Sequence, residues 1–419
     1  MNEARLAELA NAFGTPLYVY DRRLILARLR LLKELTDGRF GISYAIKANP
    51  NAALLRALRP ELSTFDASSY GEVERALAAG MPARRISFSG PGKRDGEVAR
   101  AVAVGVGELI VENLGEARRA SALAIAAGRR QSVLVRLNPK KVPRGFGASM
   151  GGTVSQFGID EEEMTGVLPA VQALRGLEVN GFHAYSGTNA LAVEPIGENF
   201  AIFADLFRAA QSITGCRPRR CVFGAGFGVP YLPGEAPLDH DGLPDAILPV
   251  VDALAAEDAF ADAAYELELG RWLVAPAGWL LTSIVAAKHS RGTEVRICDA
   301  GFNNHLAACG MMGSVIRRNW VFENVTNPDG PVHSYLLVGP LCTSIDRLAH
   351  NITLPEARVG DVLAIPQSGA YGLTASPTRF ISHPEPREVM LDGDVVTDVS
   401  ESLLNHWPAE PQSAGATSG

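Results

Sequence analysis

The chain has 419 residues, with 39 Lys and Arg against 46 Asp and Glu, a formal net charge of −7. Apolar side chains make up 47% and charged ones 20%, so a sizeable core is available and wholesale disorder is excluded. A pI near 5.7 argues against nucleic acid or an anionic membrane as the main partner, without forbidding one basic pocket for a small phosphate.

At roughly 150 residues per domain the length allows two or three domains. The cysteines Cys216, Cys221, Cys298, Cys309 and Cys342 are odd in number and contain no CxxC pair. That is neither a disulfide framework nor a zinc-ligand spacing, and a reducing, cytoplasmic compartment is expected. Residues Met1–Leu9 are charged and do not read as a signal peptide. The run Trp272–Ala287 is short and interrupted by Pro276, Thr282 and Ser283, so no membrane span is expected.

In chain order, Thr15–Tyr20 reads as a strand ahead of the first helix. Eight further β-rich runs follow: Ile42–Ala48, Thr64–Ser69, Arg85–Gly90, Glu108–Asn113, Ser132–Asn138, Glu178–Gly187, Cys221–Gly228 and Ala263–Arg271. Amphipathic helices lie between them, among them Gly71–Ala79, Glu161–Leu174 and Asn199–Ile213. Strand–helix alternation demands a parallel sheet. Eight units without a break in style predict a closed (β/α)8 TIM barrel over residues 22–265, with an open doubly wound sheet as the alternative.

After Arg271 the style changes. Thr282–Lys288, Glu294–Cys298, Ser334–Val338, Asp361–Pro366 and Arg387–Leu391 read as strands punctuated by turn residues. Residues 1–21 and 266–408 are therefore expected to form a mostly β domain, and 409–419 a loose tail.

If the barrel is right, chemistry belongs at the C-terminal ends of its strands. Lys47 ends an otherwise apolar strand, where a desolvated amine has a depressed pKa and can attack an aldehyde; the bland reading is a lysine reaching solvent. The run Gly224-Ala225-Gly226-Phe227-Gly228 offers backbone N–H groups to an anion, and Arg271 offers a planar fork to the same group. Glu268, between Leu267 and Leu269, needs a partner, which a protonated heterocyclic nitrogen or Arg271 would supply. His183 also reads as a satisfied core histidine, and Asp66 and Arg136 stand at strand ends without singling themselves out. An aldehyde-trapping lysine, a phosphate cup and a carboxylate for a ring nitrogen are together the handles for pyridoxal 5′-phosphate.

Here the sequence resembles the barrel-type pyridoxal phosphate decarboxylases, the group of diaminopimelate, ornithine and arginine decarboxylases related by fold to alanine racemase. The matching stretches are SYAIKAN around Lys47, FDASSYGE from Phe65, GFHAYSGT around His183, GAGFGVPY from Gly224, ELGR at Glu268–Arg271, VGPLC up to Cys342 and GAYG around Tyr371, spanning about residues 15 to 395. The resemblance implies that Lys47 forms the Schiff base with the cofactor and His183 stacks on its ring. It implies that Ser186, the Gly224–Gly228 backbone and Arg271 hold the phosphate, and that Glu268 pairs with the ring nitrogen. Asp66 and Arg136 join this cofactor-binding set. Cys342, as proton donor, and Tyr371, near the phosphate, are implied to cross into the neighbouring subunit of a homodimer.

Departures from the family pattern point to the substrate. Diaminopimelate and ornithine decarboxylases have an acidic residue just after the cysteine, matched to a distal amine; here it is Thr343. An unpaired buried ammonium costs several kcal/mol, so Thr343 disfavours such a substrate unless Asp346 substitutes. ELGR replaces EPGR, and Met150–Gly158 and Ser368–Pro377 are unlike the lysine-biosynthesis enzymes. These features resemble a subgroup tied to secondary metabolism that includes a decarboxylase of glutamate carried as a thioester on an acyl-carrier protein. The expected function is α-decarboxylation of an L- or D-amino acid, free or carrier-bound, with Thr343, Asp346 and Tyr371 facing the substrate. A diaminopimelate-type decarboxylase, a racemase, a non-catalytic cofactor carrier and a sugar-phosphate barrel enzyme are the alternatives.

Overall fold

The computed structural model describes residues 1–311 and 318–401; the tail expected at 409–419 lies outside them. Eight strands close the barrel: β2 (Gly41–Ala45), β3 (Thr64–Ala67), β4 (Ile86–Phe88), β5 (Glu108–Val111), β6 (Gln131–Asn138), β7 (Leu177–Ala184), β8 (Arg220–Gly224) and β9 (Ala264–Leu269). Each pairs in parallel with its successor, and β9 returns to β2 with Glu268 opposite Ser43. The ring is closed, so the open-sheet alternative falls. The expected domain boundary at 265/266 lies inside β9; ladder pairing with β2 carries the barrel on to Leu269.

Local chemistry explains the outer helices. Ser69 caps the helix Tyr70–Ala78 by accepting from the Glu72 N–H. The helix Val193–Thr214 starts six residues earlier than its hydrophobic repeat suggests, because Pro195 is tolerated in a first turn, and Gly215 ends it in the left-handed conformation. Its buried Phe200 and Phe207 pack on Phe223 of β8, with ring centroids 5.1 and 5.0 Å apart. The Glu161–Leu174 segment is helical over Met164–Gln172, after a single 3₁₀ turn.

The second domain joins both parts of the chain. Strand β1 (Leu17–Asp21) lies between β10 (Gly278–Ser290), antiparallel, and β15 (Arg387–Asp392), parallel. β11 (Thr293–Cys298), β12 (Val332–Val338) and β13 (Arg347–Pro355) continue the sheet from β10; β14 (Val362–Ile365) also pairs with β10, and β16 (Val395–Asp398) edges β15. β13 escapes the period-two reading because Asn351 has a positive φ (49°) and the β12–β13 register shifts, which breaks the alternation. Among the described residues no helix is long and apolar enough to cross a membrane.

One loop joins the domains at the barrel mouth. Beyond β14, Ser368 N–H bonds Gly278 O, Asn49 Nδ2 donates to Gly369 O at 3.0 Å, and Tyr371 N–H donates to Ala48 O at 2.8 Å. This seat is tight: a Cβ at Gly369 would stand 1.8 Å from the Val274 carbonyl oxygen. Gly369→Ala must move backbone, costing about 2 kcal/mol. Its unfolding midpoint in differential scanning calorimetry should fall by roughly 3 °C, with a disproportionate loss of turnover because Tyr371 is displaced.

Candidate active site

The groups at the mouth come from four strand ends. Lys47 follows β2 in a single 3₁₀ turn, Asp66 lies on β3, His183 on β7 and Glu268 on β9. Glu268 Oε2 lies 2.8 Å from His183 Nε2, both residues buried. Asp66 accepts from Ser87 Oγ at 3.0 Å and Ser89 Oγ at 2.9 Å. Lys47 keeps solvent-accessible surface towards a cavity of about 570 Å³.

Charge here is shared. Burial pushes the Glu268 carboxyl up, but His183, Lys47 and Arg136 outweigh it and bring it down to about 2. Burial, followed by the charge of Glu268, lifts Asp66 well above the carboxylate range against the pull of Lys47 and its two serines. Within this pair Glu268 is the member pulled towards the charged form and Asp66 the one pushed away from it. Burial would lower the Lys47 ammonium, but Tyr371, Glu268, Asp66 and Tyr185 together hold it above its ordinary value. The expectation of a depressed lysine pKa is therefore corrected: Tyr371, then the two carboxylates and Tyr185, together outweigh desolvation.

Groups suited to a phosphate gather beside the lysine. Arg271 donates from Nη1 to Tyr231 Oη at 2.8 Å and from Nε to Thr188 Oγ1 at 3.4 Å. Gly226 sits at φ 68°, and a Cβ there would come 2.6 Å from Phe146 and 2.9 Å from the Gly187 carbonyl oxygen. Its carbonyl accepts from Ala190 N–H, and Gly228 N–H donates to Ala190 O, pinning the loop against residues 187–190. Gly226 and Phe227 line the same pocket as Lys47, Thr188 and Arg271. The buried His183 Nδ1 has no hydrogen-bond partner among the described residues. An aldehyde, a protonated ring nitrogen and a phosphate thus each meet a fitting group. The residues suit pyridoxal 5′-phosphate.

Several expected site residues are placed differently. Tyr371 lies in its own chain's site, not a neighbour's: Arg271 Cζ is 4.6 Å from its ring centroid, and its backbone is held at φ 53° by the bond to Ala48. The interdomain loop folds back over the barrel of the same chain, which is why. Arg136 is paired with Glu112 at 3.2 Å and faces Phe157, on the wall of the cavity. Ser186 Oγ donates to Asn199 Oδ1 at 2.5 Å. Gly224 makes room for the Tyr185 ring, 2.1 Å from where its Cβ would be. Cys342 is exposed and does not line the Lys47 cavity of its own chain. Asp346 is buried, accepting from the N–H groups of Phe302 and Leu341, each at 2.9 Å. It ties the cysteine-bearing loop to Phe302 and does not line the Lys47 cavity of its own chain. Thr343, half-buried, turns in that loop.

Reading the sequence residue by residue missed three aromatics. Tyr231 holds Arg271 and stacks on Trp320 at 4.2 Å, while Tyr185 lies under the Lys47 amine, 5.8 Å from Nζ to ring centroid. Tyr231 closes the stretch GAGFGVPY, so position in the motif was the available signal for it.

A closed parallel barrel with a lysine, a charged buried carboxylate and a phosphate seat at its mouth defines a pyridoxal phosphate enzyme. The model of the pyridoxal-dependent decarboxylase pyridoxal-binding domain matches residues 22–275. An L-glutamyl-[BtrI acyl-carrier protein] decarboxylase from Niallia circulans is 32% identical over 93% of this chain and 92% of its own. The diaminopimelate decarboxylase of Methanothermobacter thermautotrophicus is 34% identical over 95% and 91%. The crystal structure of Helicobacter pylori diaminopimelate decarboxylase complexed with L-lysine superposes with a TM-score of 0.82 at 29% identity, covering 94% of this chain and 95% of that one. The chain belongs to the pyridoxal-dependent decarboxylase family.

Gly226→Ala should weaken binding of pyridoxal 5′-phosphate by about tenfold or more, since both the left-handed backbone and the Phe146 contact must give. Equilibrium dialysis of the cofactor-stripped protein measures this, with far-UV circular dichroism unchanged.

Proposed function

We propose that this decarboxylase removes the α-carboxylate of an amino acid with no distal cation, a glutamate-like substrate carried as a thioester on an acyl-carrier protein, in secondary metabolism. The observation that carries this is the loop after β12: Thr343 stands where a distal amine would need an acid, and Asp346, the nearest substitute, already accepts two backbone bonds. A buried ammonium there would lose several kcal/mol. Similarity to the Niallia circulans enzyme supports the carrier-bound form. Five cysteines, odd in number and without a CxxC pair, support a reducing, cytoplasmic setting.

The residues divide the work. Lys47 Nζ would hold the cofactor through its aldehyde. Arg271, Thr188, Tyr231 and the Gly226–Phe227 backbone hold the phosphate, and Tyr371 covers it from the same chain. The bound cofactor supplies an electron sink for the pair left behind as CO2 departs. Glu268 keeps the ring nitrogen protonated, and His183 steadies Glu268 through its Nε2 bond. Cys342, exposed and not lining its own Lys47 cavity, supports a homodimer in which Cys342 Sγ of a second copy would deliver a proton to the substrate's α-carbon.

Borohydride reduction in the presence of pyridoxal 5′-phosphate should fix the pyridoxyl group on Lys47, read by peptide mass spectrometry; a label elsewhere sinks the assignment. Mixing Lys47→Ala with Cys342→Ala should restore activity that neither has alone, and no recovery after verified subunit exchange counts against a shared site. Scored by CO2 release, carrier-loaded glutamate should exceed free lysine or diaminopimelate by about 100-fold in kcat/KM, the scale of an unpaired buried charge.

A further inference from the structure

The cavity that holds Lys47 does not end at the cofactor seat. It shares Leu232, Glu235 and Arg318 with a second cavity of about 780 Å³ between the loop after β8 and the start of β13. That second space is lined by none of the groups that would touch the reacting carbon: Lys47, Glu268 and Arg271 are absent from its wall. Either volume is in the range that holds a whole small ligand. One amino acid on the cofactor therefore leaves the outer cavity unused.

The outer cavity has a definite charge. Arg318 stands on the shared wall and Arg347 on the far side. Arg136 is already paired with Glu112 in the inner cavity, whereas neither Arg318 nor Arg347 forms an ion pair among the described residues. Glu235 is the one acid lining either cavity among the described residues, and its Oε2 is turned onto its own loop, accepting from Tyr231 N–H at 3.0 Å and Leu232 N–H at 3.1 Å. The floor is fixed: Asn319 donates to His350 O at 2.7 Å and accepts from His350 N–H at 3.0 Å, tying the segment beside Arg318 to β13, which begins at Arg347. A built cationic groove on a chain of net charge −7 is a local reversal of field that selects an anion.

We propose that this groove seats the phosphate of a pantetheine-type arm, with Arg318 and Arg347 as its cationic ligands, so that the arm runs from the groove past Leu232 to the amino acid at Lys47. The inference rests on the carrier-bound reading above and adds to it a second anion site, separate from the cofactor phosphate. Guanidinium groups suit it, because their forked donors match phosphate oxygens.

The test uses the cofactor-loaded enzyme and two synthetic substrates: glutamate as a thioester of 4′-phosphopantetheine and of pantetheine lacking the phosphate. In the wild type the phosphate should raise kcat/KM by about tenfold or more, chiefly through KM. Arg347→Gln should erase that difference and leave the phosphate-free thioester unchanged; Arg347→Lys should restore part of it, and Arg318→Gln should also erase it. Inorganic phosphate should compete with the phosphorylated arm and spare the other. Equal kcat/KM for the two arms in the wild type overturns the proposal, as does an Arg347→Gln loss of the same size on both. If Arg318→Gln weakens free glutamate as much as the phosphorylated thioester, the groove serves the substrate's own carboxylate and the proposal fails. Should both thioesters be inert while a free amino acid releases CO2, the carrier-bound reading itself falls, a result distinct from the others.

Discussion

One negative charge, buried on Glu268 and surrounded by Lys47, His183 and the protonation-shifted Asp66, is the constraint around which the barrel mouth is organised. A carboxylate taken from water is tolerable only if every neighbour answers it. Here the answers come from four separate strands: an imidazole on β7, an ammonium after β2, a second carboxyl on β3 whose pKa is raised, and serines around it. Such convergence needs a closed ring of parallel strands, whose ends all open on one face. The fold and the electrostatics are one requirement.

The same cluster explains why the lysine looks wrong for a nucleophile in the protein alone. Its ammonium sits among Tyr371, Glu268, Asp66 and Tyr185, which together raise its pKa against the lowering effect of burial. A lysine in a purely apolar pocket would be shifted the other way.

Much of the fold was legible because its signals are periodic: β2 to β9 each carry a short apolar run, and the helices a 3.6-residue stripe. Lys47, Glu268 and Arg271 were legible because charge at the end of an apolar strand violates that pattern. What escaped depends on loops that return from far along the chain. Nothing near Tyr371 in sequence tells that its N–H will bond Ala48, and the motif reading sent it across to a neighbour when it stays at home. Tyr185, Tyr231 and Trp320 are ordinary aromatics until Arg271 and Lys47 are placed beside them. Asp346 shows another limit: its position near a cysteine does not tell that its oxygens accept the N–H groups of Phe302 and Leu341. Strand β13 was hidden by the backbone kink at Asn351.

The position of β1 carries a consequence for how the molecule comes into being. It is made before every strand of the barrel, yet its place is between β10 and β15, both made after the barrel. During synthesis the barrel can close behind an unpartnered ribbon of apolar residues, Leu17 to Tyr20, whose two edges are covered only when those later strands arrive. A ribosome stalled before residue 387 would release a complete barrel with a bare, adhesive strand edge. The last strand to pair with β1 thus closes an edge that a shortened chain would leave open to other strands.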